Sequence, residues 1–319
     1  MDRFDWDHVC NTSDEGGRYS YAKQPEICKW NLFKFAEALQ PIVPMNETKE
    51  ILENNFYSIY STEYKEKMLK KFGLFVSLSQ TNGDLLSDDD LIQSFLDTME
   101  KTGADFTNCF RALNILTVCG LESHKKSVKN LETELISQCS SLEEIIDANE
   151  SSFDSQEFQL FLVLLQTNPQ LLEMLGKGPK AIERVLAKME KNKELKTMTS
   201  EQKRNEDSEH WEKWIDSYVN RIEYDVKEFA SDLQELQNHN NKRLKVMNEN
   251  NPIYVLRNYL AKEAIERAEA GDFSKVNHLL KILQNPYNEC CDDTNPDKKD
   301  YYCKRPPLWA NRLKVSCSS

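Results

Sequence analysis

Apolar residues recur at steps of three and four positions along most of this 319-residue sequence. The pattern is clearest over residues 27–39, which Pro41 follows, and over residues 48–73. Such steps place apolar side chains on one face of an α-helix, whereas a half-buried strand alternates at every second residue. No alternating run bounded by turn residues occurs in the sequence. The sequence therefore predicts a mostly α-helical fold.

Several segments add signals for where helices begin and how they are buried. Ser87 and the three aspartates after it indicate an acidic helix start. Asp105 or Thr107 is expected to cap the helix that follows. Residues 158–165 are apolar on all sides, which predicts a helix buried on most of its faces.

The second half of the chain begins with a change of composition. Residues 191–210 are almost entirely charged or polar, so we expect a polar loop or a disordered insertion. Residues 211–248 predict one long helix with a narrow apolar seam, and two helices starting at Pro252 and after Gly271 are expected to form a hairpin. Packing of the seam on the chain's own core is the favoured interpretation, and a coiled-coil partner is the alternative. The seam consists of Trp211, Ile215, Tyr218, Ile222, Val226, Phe229, Leu233 and Leu236.

Charge and glycine content exclude several classes of function. The net charge is −12, and an acidic chain lacks the positive surface that binds nucleic-acid phosphates. Nine glycines are few for a nucleotide cradle, and no glycine-rich phosphate-binding motif is present. No run of 18 apolar residues occurs and no apolar segment follows Met1, so the sequence predicts no membrane span and no secretory signal.

The residues by themselves predict no catalytic and no metal site. The nine cysteines are expected to be reduced thiols, because no secretory signal accompanies them. Cys290, Cys291 and Cys303, with His278 upstream, are the nearest approach to a zinc site, but an Asn- and Asp-rich loop is the favoured interpretation. Acidic runs such as residues 88–90 favour a solvated helix start over an acid–base pair.

The densest group of unusual residues lies between positions 11 and 32. Two adjacent glycines, Arg18 among tyrosines and a helix entered through Pro25 predict a loop that is held in a specific shape. Residues 14–16, Asp-Glu-Gly, superficially resemble the metal-binding Asp-Phe-Gly of kinases. We interpret them as loop, because no strand precedes them.

Four stretches of the sequence together resemble the selenoprotein O family of AMP-transferring pseudokinases. They are HVCNTSDEGGRYSYAKQPEICKWNL at 8–32, ADFTNCFRAL at 104–113, NPIYVLRNYLAKEAIERAEAGDF at 251–273 and RPPLWANRLKVSCSS at 305–319. Their order and separation match the family from Met1 to Ser319. The resemblance implies a protein-kinase-like fold of which this chain is the mostly helical C-lobe, with the N-terminal nucleotide-binding lobe missing.

The resemblance also implies an activity, cofactors and a location. Family members transfer AMP from ATP to the hydroxyl groups of Ser, Thr or Tyr on protein substrates, with Mg²⁺ or Mn²⁺. Eukaryotic members are mitochondrial. This sequence shows no targeting segment, so the cytoplasm is the alternative location.

The departures from the family matter as much as the match. The ATP-binding and metal-holding residues of the family precede the segment equivalent to Met1, and none has a counterpart here. Nucleotidyl transfer depends on positioning and on cations that neutralise the phosphates, so we expect this chain alone to bind neither ATP nor metal and to be inactive. Met1 resembles an internal methionine of a longer enzyme. The alternative is a noncatalytic helical interaction or regulatory module.

One functional element of the family is expected within this chain. Family members carry selenocysteine or cysteine near the C-terminus, and Cys317 occupies that place. Cys10, in the segment that resembles the activation loop, is its hypothetical redox partner. The alternative is an exposed thiol at a mobile terminus.

These interpretations divide the chain into four parts. Residues 1–26 form an activation-loop-like segment, residues 27–190 the helical C-lobe core, and residues 191–210 a polar loop or disordered insertion. Residues 211–319 comprise the long helix, the hairpin and the C-terminal redox tail.

Overall fold

The computed structural model describes residues 2–11, 13–14, 16–153, 156–167, 190, 192–288 and 301–313. These residues are mostly helical and form no strand, which confirms that the chain is mostly α-helical. None of their helices is long and apolar enough to cross a membrane. The helices are α1 (Gln24–Leu39), α2 (Met45–Phe72), α3 (Asp88–Thr102), α4 (Phe106–Ala112), α5 (His124–Ser137), α6 (Leu142–Phe153), α7 (Gln156–Thr167), α8 (Ser200–Phe229), α9 (Leu233–Asn250), α10 (Asn258–Glu269) and α11 (Ser274–Leu283).

The main core is an aromatic cluster between α3, α4, α8 and the end of α2. The ring of Phe95 lies 4.9 Å from that of Phe110, 4.5 Å from Trp214 and 5.7 Å from Trp211. All four side chains are buried. Tilted and edge-to-face contacts of this kind add to the stability that burial of apolar area provides. The core therefore combines residues from both sides of the 191–210 segment. We call these helices, with α5 and α9, the body.

The start of α3 has the acidic first turn that the sequence predicted, but Asp88 is buried and not solvated as expected. Ser87 caps the helix by accepting a hydrogen bond from the backbone amide of Asp90 at 3.2 Å. Residues 88–90 place three carboxylates in the first turn, where the helix dipole favours negative charge. Asp88 is fully buried and pairs with Arg221 of α8 at 2.8 Å. The acidic helix start thus also links α3 to α8.

Residues 192–210, the described part of the segment predicted as a polar loop, are instead mostly helical, so this prediction was wrong. Residues 192–197 are helical, and α8 begins at Ser200 behind a capping box formed by Thr199 and Gln202. Lys203 and Asp207 lie one helical turn apart and are buried as an ion pair. The two opposite charges compensate each other on burial, so a polar composition here forms a packed helix.

The predicted long helix over residues 211–248 is two helices. Ala230 has extended backbone, and Asp232 begins α9 by accepting a hydrogen bond from the amide of Glu235 at 2.8 Å. The seam residues from Trp211 to Val226 are buried in the body. The favoured interpretation, packing on the chain's own core, is therefore confirmed for these five side chains, whereas Phe229 and Leu233 of the predicted seam are 47% and 60% exposed.

Two further expectations need correction. The helix expected to start at Pro252 begins at Asn258, and residues 252–257 are not helical. Helix α7 was expected to be buried on most faces, yet Leu160 and Val163 are more than half exposed. The expected hairpin after Gly271 is present: α10 and α11 pack together around Leu260, Leu279 and Ile282.

Helices α1 and α2 form a hairpin with a different character. The end of α2 joins the body through Met68, Leu69 and Phe72. By contrast, α1 buries only Ala36. We call α1 together with residues 45–60 of α2 the α1–α2 hairpin.

Candidate functional site

Three separate sequence stretches meet at the guanidinium group of Arg257. Arg257 belongs to the 251–273 stretch, Asp105 to the 104–113 stretch, and Asp2 to the N-terminal segment. Arg257 donates hydrogen bonds to Asp105 at 2.6 and 3.1 Å and to Asp2 at 2.7 Å. Arg257 and Asp105 are almost completely buried. We call Asp2, Asp105, Asn108 and Arg257 the motif junction.

Local structure positions each member of the junction. Asp105 is the N-cap of α4 and also accepts a hydrogen bond from the amide of Asn108 at 2.9 Å. Arg257 is the residue that precedes α10, where the backbone is extended. Burial alone lowers the pKa of Arg257, but the hydrogen bonds and charges of Asp105 and Asp2 outweigh it and raise that pKa above the usual value.

The junction is a clamp rather than an acid–base centre. Both oxygens of Asp105 are occupied by Arg257, and one of them also caps α4. A bidentate arginine–carboxylate pair of this kind adds geometric specificity as well as binding energy. The arrangement fixes three chain segments relative to one another.

The N-terminal segment is held at the junction by backbone contacts as well. The amide of Phe4 donates to the carbonyl oxygen of Ala104, and the amide of Phe106 donates to that of Asp2 at 2.8 Å. The buried ring of Phe4 packs against Phe106 at 5.7 Å and Tyr21 at 5.3 Å. Tyr21 lies in the 8–32 stretch, so this stretch is connected to the junction too.

The fourth stretch reaches the same region through Arg305. Its guanidinium group donates to Glu144 at 2.5 Å and to the carbonyl oxygen of Ser137 at 3.4 Å. A cavity of about 620 Å³ lies between this arginine, α4 and α5. Its apolar part is formed by Ala112, Ile115 and Ile253, and its charged residues are Arg111, Glu134, Lys304 and Arg305.

The loop around Asp14 is held in place by hydrogen bonds, in agreement with the predicted fixed shape. Asp14 accepts hydrogen bonds from the amides of Tyr19 at 2.7 Å and Arg18 at 2.9 Å. These bonds, that of Tyr19 first, lower the pKa of Asp14. The guanidinium carbon of Arg18 lies 4.2 Å from the centre of the Trp30 ring. The Asp14 carboxylate therefore holds the loop together, which agrees with the interpretation of Asp14 as a loop residue.

The structure places only one of the two predicted redox residues. Cys10 is exposed, whereas Cys317 lies outside the described residues, as do Cys290 and Cys291. Cys303 is half-buried in the wall of the cavity. Within the described ranges, no three His, Cys, Asp or Glu residues are grouped so as to hold a metal ion.

Sequence reasoning missed the motif junction. Asp105 was predicted only as a helix cap, and Asp2 and Arg257 were not singled out. The pairing of Asp105 with Arg257 spans 152 residues, which no local pattern reveals. No local signal set Arg257 apart, because the 251–273 stretch carries several other charged residues, among them Lys262 and Glu263.

Fold and junction together define a helical domain whose distant stretches are held by a buried arginine–carboxylate cluster. The family model for "Protein adenylyltransferase SelO" matches residues 1–284. The chain belongs to the SelO family, which confirms the resemblance of the four stretches.

Similar proteins include mammalian and bacterial members. The mouse "Protein adenylyltransferase SelO, mitochondrial" is 38% identical over 329 residues, which cover all of this chain and 46% of the mouse protein. The human protein of the same name is 39% identical, with 47% of its length covered. "Protein nucleotidyltransferase YdiU" of Pseudomonas aeruginosa strain LESB58 is 26% identical, with 45% covered. The chain thus spans about half the length of these relatives.

Proposed function

We propose that this chain supplies the helical, kinase-C-lobe-like half of a protein adenylyltransferase. The reaction is transfer of AMP from ATP to a Ser, Thr or Tyr hydroxyl group of a protein substrate. The hydroxyl oxygen attacks the α-phosphorus, and pyrophosphate leaves. The family match over residues 1–284 supports this proposal, because it includes all three stretches that the junction clamps.

We further propose that ATP and Mg²⁺ or Mn²⁺ are held by the half of the relatives that this chain does not cover. Nucleotidyl transfer requires cations against the phosphates. At the junction, Arg257 is bound to Asp105 and Asp2, and nearby Arg305 is bound to Glu144. These arginines are engaged within the fold, so this chain alone is proposed to be inactive.

Labelled ATP tests both parts of the proposal. We would incubate residues 1–319, and the same chain extended by the N-terminal half of the mouse relative, with ATP labelled at the α- or the γ-phosphate and a protein acceptor. The expected result is incorporation of the α-label only, and only by the extended chain. Incorporation by residues 1–319 alone would refute the proposed inactivity, and an unlabelled acceptor with a folded extended chain would refute the proposed reaction.

We propose in addition that Cys10 and Cys317 form a reversible disulfide. The exposure of Cys10 supports this, because an exposed thiol is accessible to an exchange partner. Oxidation by glutathione disulfide removes two electrons and two protons from the pair and yields two molecules of glutathione. Alkylation and mass mapping without reductant should find the linked pair after oxidation. Two free thiols in the presence of oxidant would exclude it.

A noncatalytic interaction module is the second candidate, and the exposed apolar residues of the α1–α2 hairpin favour it. In that case an excess of residues 1–319 should change AMP incorporation by the full-length mouse relative. The first candidate predicts no effect on an enzyme that already has its own helical half.

The location is a further proposal. The mouse and human relatives are named as mitochondrial, and we propose the same compartment for the protein to which this chain contributes. Fractionation of cells that express the tagged protein tests it, and recovery in the cytosol alone would contradict it.

A further inference from the structure

A polar cleft of about 690 Å³ lies between the start of α5 and the first half of α9. Thr117 and Ser123 line it from the connection between α4 and α5, and Lys126 lines it from α5 itself. Asn240 and Asn241 line it from α9. Sites for small molecules have volumes of about 300 to 1,000 Å³ and contain a few precisely placed polar groups. The cleft therefore has the size and the composition of a small-molecule site.

The two walls of the cleft are fixed to each other. Arg243 of α9 donates hydrogen bonds to the carbonyl oxygens of Leu116 at 2.6 Å and Leu113 at 3.3 Å. Gly120 has a φ angle of +91°, and a Cβ atom at this position would lie 2.9 Å from the side chain of Leu236 on α9. Glycine permits both this backbone angle and this close approach. The shape of the cleft is thus set by the packing of α9 on the connection before α5.

The side chain of Asn240 is buried with its hydrogen-bond donor unused. It is only 6% exposed, and its oxygen accepts a hydrogen bond from the backbone amide of Val118 at 3.1 Å. This bond fixes the orientation of the side chain, because an amide nitrogen cannot accept it. No described residue accepts a hydrogen bond from the Asn240 nitrogen, and the residue lines the cleft. A buried donor without a partner costs free energy, so it points to an acceptor bound in the cleft.

The start of α5 adds positive charge to the same cleft. Ser123 precedes this helix without capping it, and its hydroxyl oxygen lies 3.1 Å from that of Thr117. The first turn contains His124, Lys125 and Lys126 and no acidic residue. The backbone amides at a helix start carry partial positive charge and favour a phosphate group. A bound anion would supply the negative charge that this helix start lacks.

We propose that the cleft binds one phosphate group, either as free phosphate or as part of a phosphorylated small molecule. The binding groups are the Lys126 ammonium, the amides at the start of α5 and the side-chain nitrogen of Asn240. One lysine balances the charge of one phosphate group, whereas the exposed carboxylate of Glu122 in the lining disfavours a triphosphate. The inference goes beyond the proposed function, because it requires no AMP transfer.

Isothermal titration calorimetry of residues 1–319 tests the proposal. Inorganic phosphate and ribose 5-phosphate are the probes, and chloride keeps the ionic strength constant so that screening does not change. The expected result is saturable binding at one site per chain. Equal affinities would identify the free anion as sufficient, and tighter binding of ribose 5-phosphate would identify a phosphorylated small molecule, so both outcomes support the proposal. A folded chain that binds neither probe would overturn it.

Two substitutions remove the proposed binding groups. Asn240→Asp keeps an oxygen for the Val118 amide but replaces the donor nitrogen with a negatively charged acceptor. Lys126→Gln removes the positive charge at an exposed position, where the fold tolerates substitution. Each variant should weaken the binding of both probes about tenfold or more. Circular dichroism checks that each is folded, and Lys126→Gln keeps the test decisive if Asn240→Asp does not fold.

Asn238→Asp and Lys125→Gln are matched controls with the same changes of charge. Asn238 is exposed, and its side chain lies about 200° around α9 from that of Asn240. Its oxygen accepts a hydrogen bond from Gln234 at 3.2 Å, which an aspartate also does. Lys125 is exposed in the same first turn as Lys126 but does not line the cleft. Both controls should bind the probes within about twofold of the unchanged chain.

The pairs of variants separate a defined site from general attraction of anions. Equal weakening by Lys125→Gln and Lys126→Gln would show that diffuse charge attracts the probes, and it would overturn the proposal. A folded Asn240→Asp variant that binds phosphate as tightly as the unchanged chain would also overturn it, because the buried amide would then face only water.

Discussion

The body and the α1–α2 hairpin use the same residue types in opposite ways. Phe95 of the body is fully buried among four aromatic rings, whereas Phe35 of the hairpin is 60% exposed. Both residues lie in helices with apolar side chains at three- and four-residue steps. Periodicity therefore defines which face of a helix is apolar, but the contacts of the whole chain decide whether that face is covered.

A second difference concerns charge. The body buries the ion pair of Arg221 with Asp88, and the motif junction buries that of Arg257 with Asp105. The pairs of the hairpin, for example Lys34 with Glu37, lie about half exposed. Buried pairs fix distant segments, while exposed pairs contribute little to stability.

The largest expected effect comes from truncating a body ring. Phe95→Ala should lower the free energy of unfolding by about 4 kcal/mol, because it removes a buried ring and leaves a cavity. The matched substitution Phe35→Ala should change it by less than about 0.5 kcal/mol. Urea denaturation followed by circular dichroism measures both. Similar losses for the two variants would mean that the hairpin is packed like the body.

The second-largest loss of stability is expected at the motif junction. Arg257→Ala should cost about 3 kcal/mol, since it leaves the buried Asp105 carboxylate without its partner. Arg267→Ala is the control, because Arg267 pairs with Asp272 at 3.9 Å with both side chains more than half exposed. The control should lose less than about 0.5 kcal/mol in the same denaturation assay. An equally mild effect of Arg257→Ala would show that the junction does not clamp the fold.

A smaller effect is expected at the start of α8. Thr199→Ala removes the capping box and should cost about 1 kcal/mol. Ser200→Ala, at the neighbouring exposed position, should stay within about 0.5 kcal/mol of the unchanged protein. Thermal unfolding compares the two. If neither substitution matters, residues 199–207 do not form the helix that joins the body.

The sequence predicted the helical class and much of the body because its signals are local. The steps within residues 91–99 and the Ser87 cap both act over a few residues, and both are present in the structure. The buried seam of α8 was likewise predicted, because five apolar side chains at helical spacing require a covering surface.

Other features depend on contacts that sequence patterns do not show. The charges of Lys203 and Asp207 suggested a solvated segment. In the structure both side chains are buried as an ion pair on α8. The break at Ala230 was missed because Phe229, Leu233 and Leu236 continue the apolar spacing across it. The role of Arg257 was not predicted, because its carboxylate partners are 152 and 255 residues away in the sequence. The exposure of Phe35 and Ile59 in the α1–α2 hairpin likewise depends on how the rest of the chain packs.

Native cysteines test the contrast between hairpin and body most directly. Cys28 of α1 is exposed, while Cys109 of α4 and Cys139 beside α5 are buried in the body. Burial raises the pKa of Cys139 to about 11, and that of Cys109 also rises, so both remain unreactive thiols. After a brief pulse of N-ethylmaleimide on folded residues 1–319, the account predicts alkylated Cys28 and unmodified Cys109 and Cys139, with all three modified in urea. Protection of Cys28 in the folded chain, or equal labelling of the three, would contradict it.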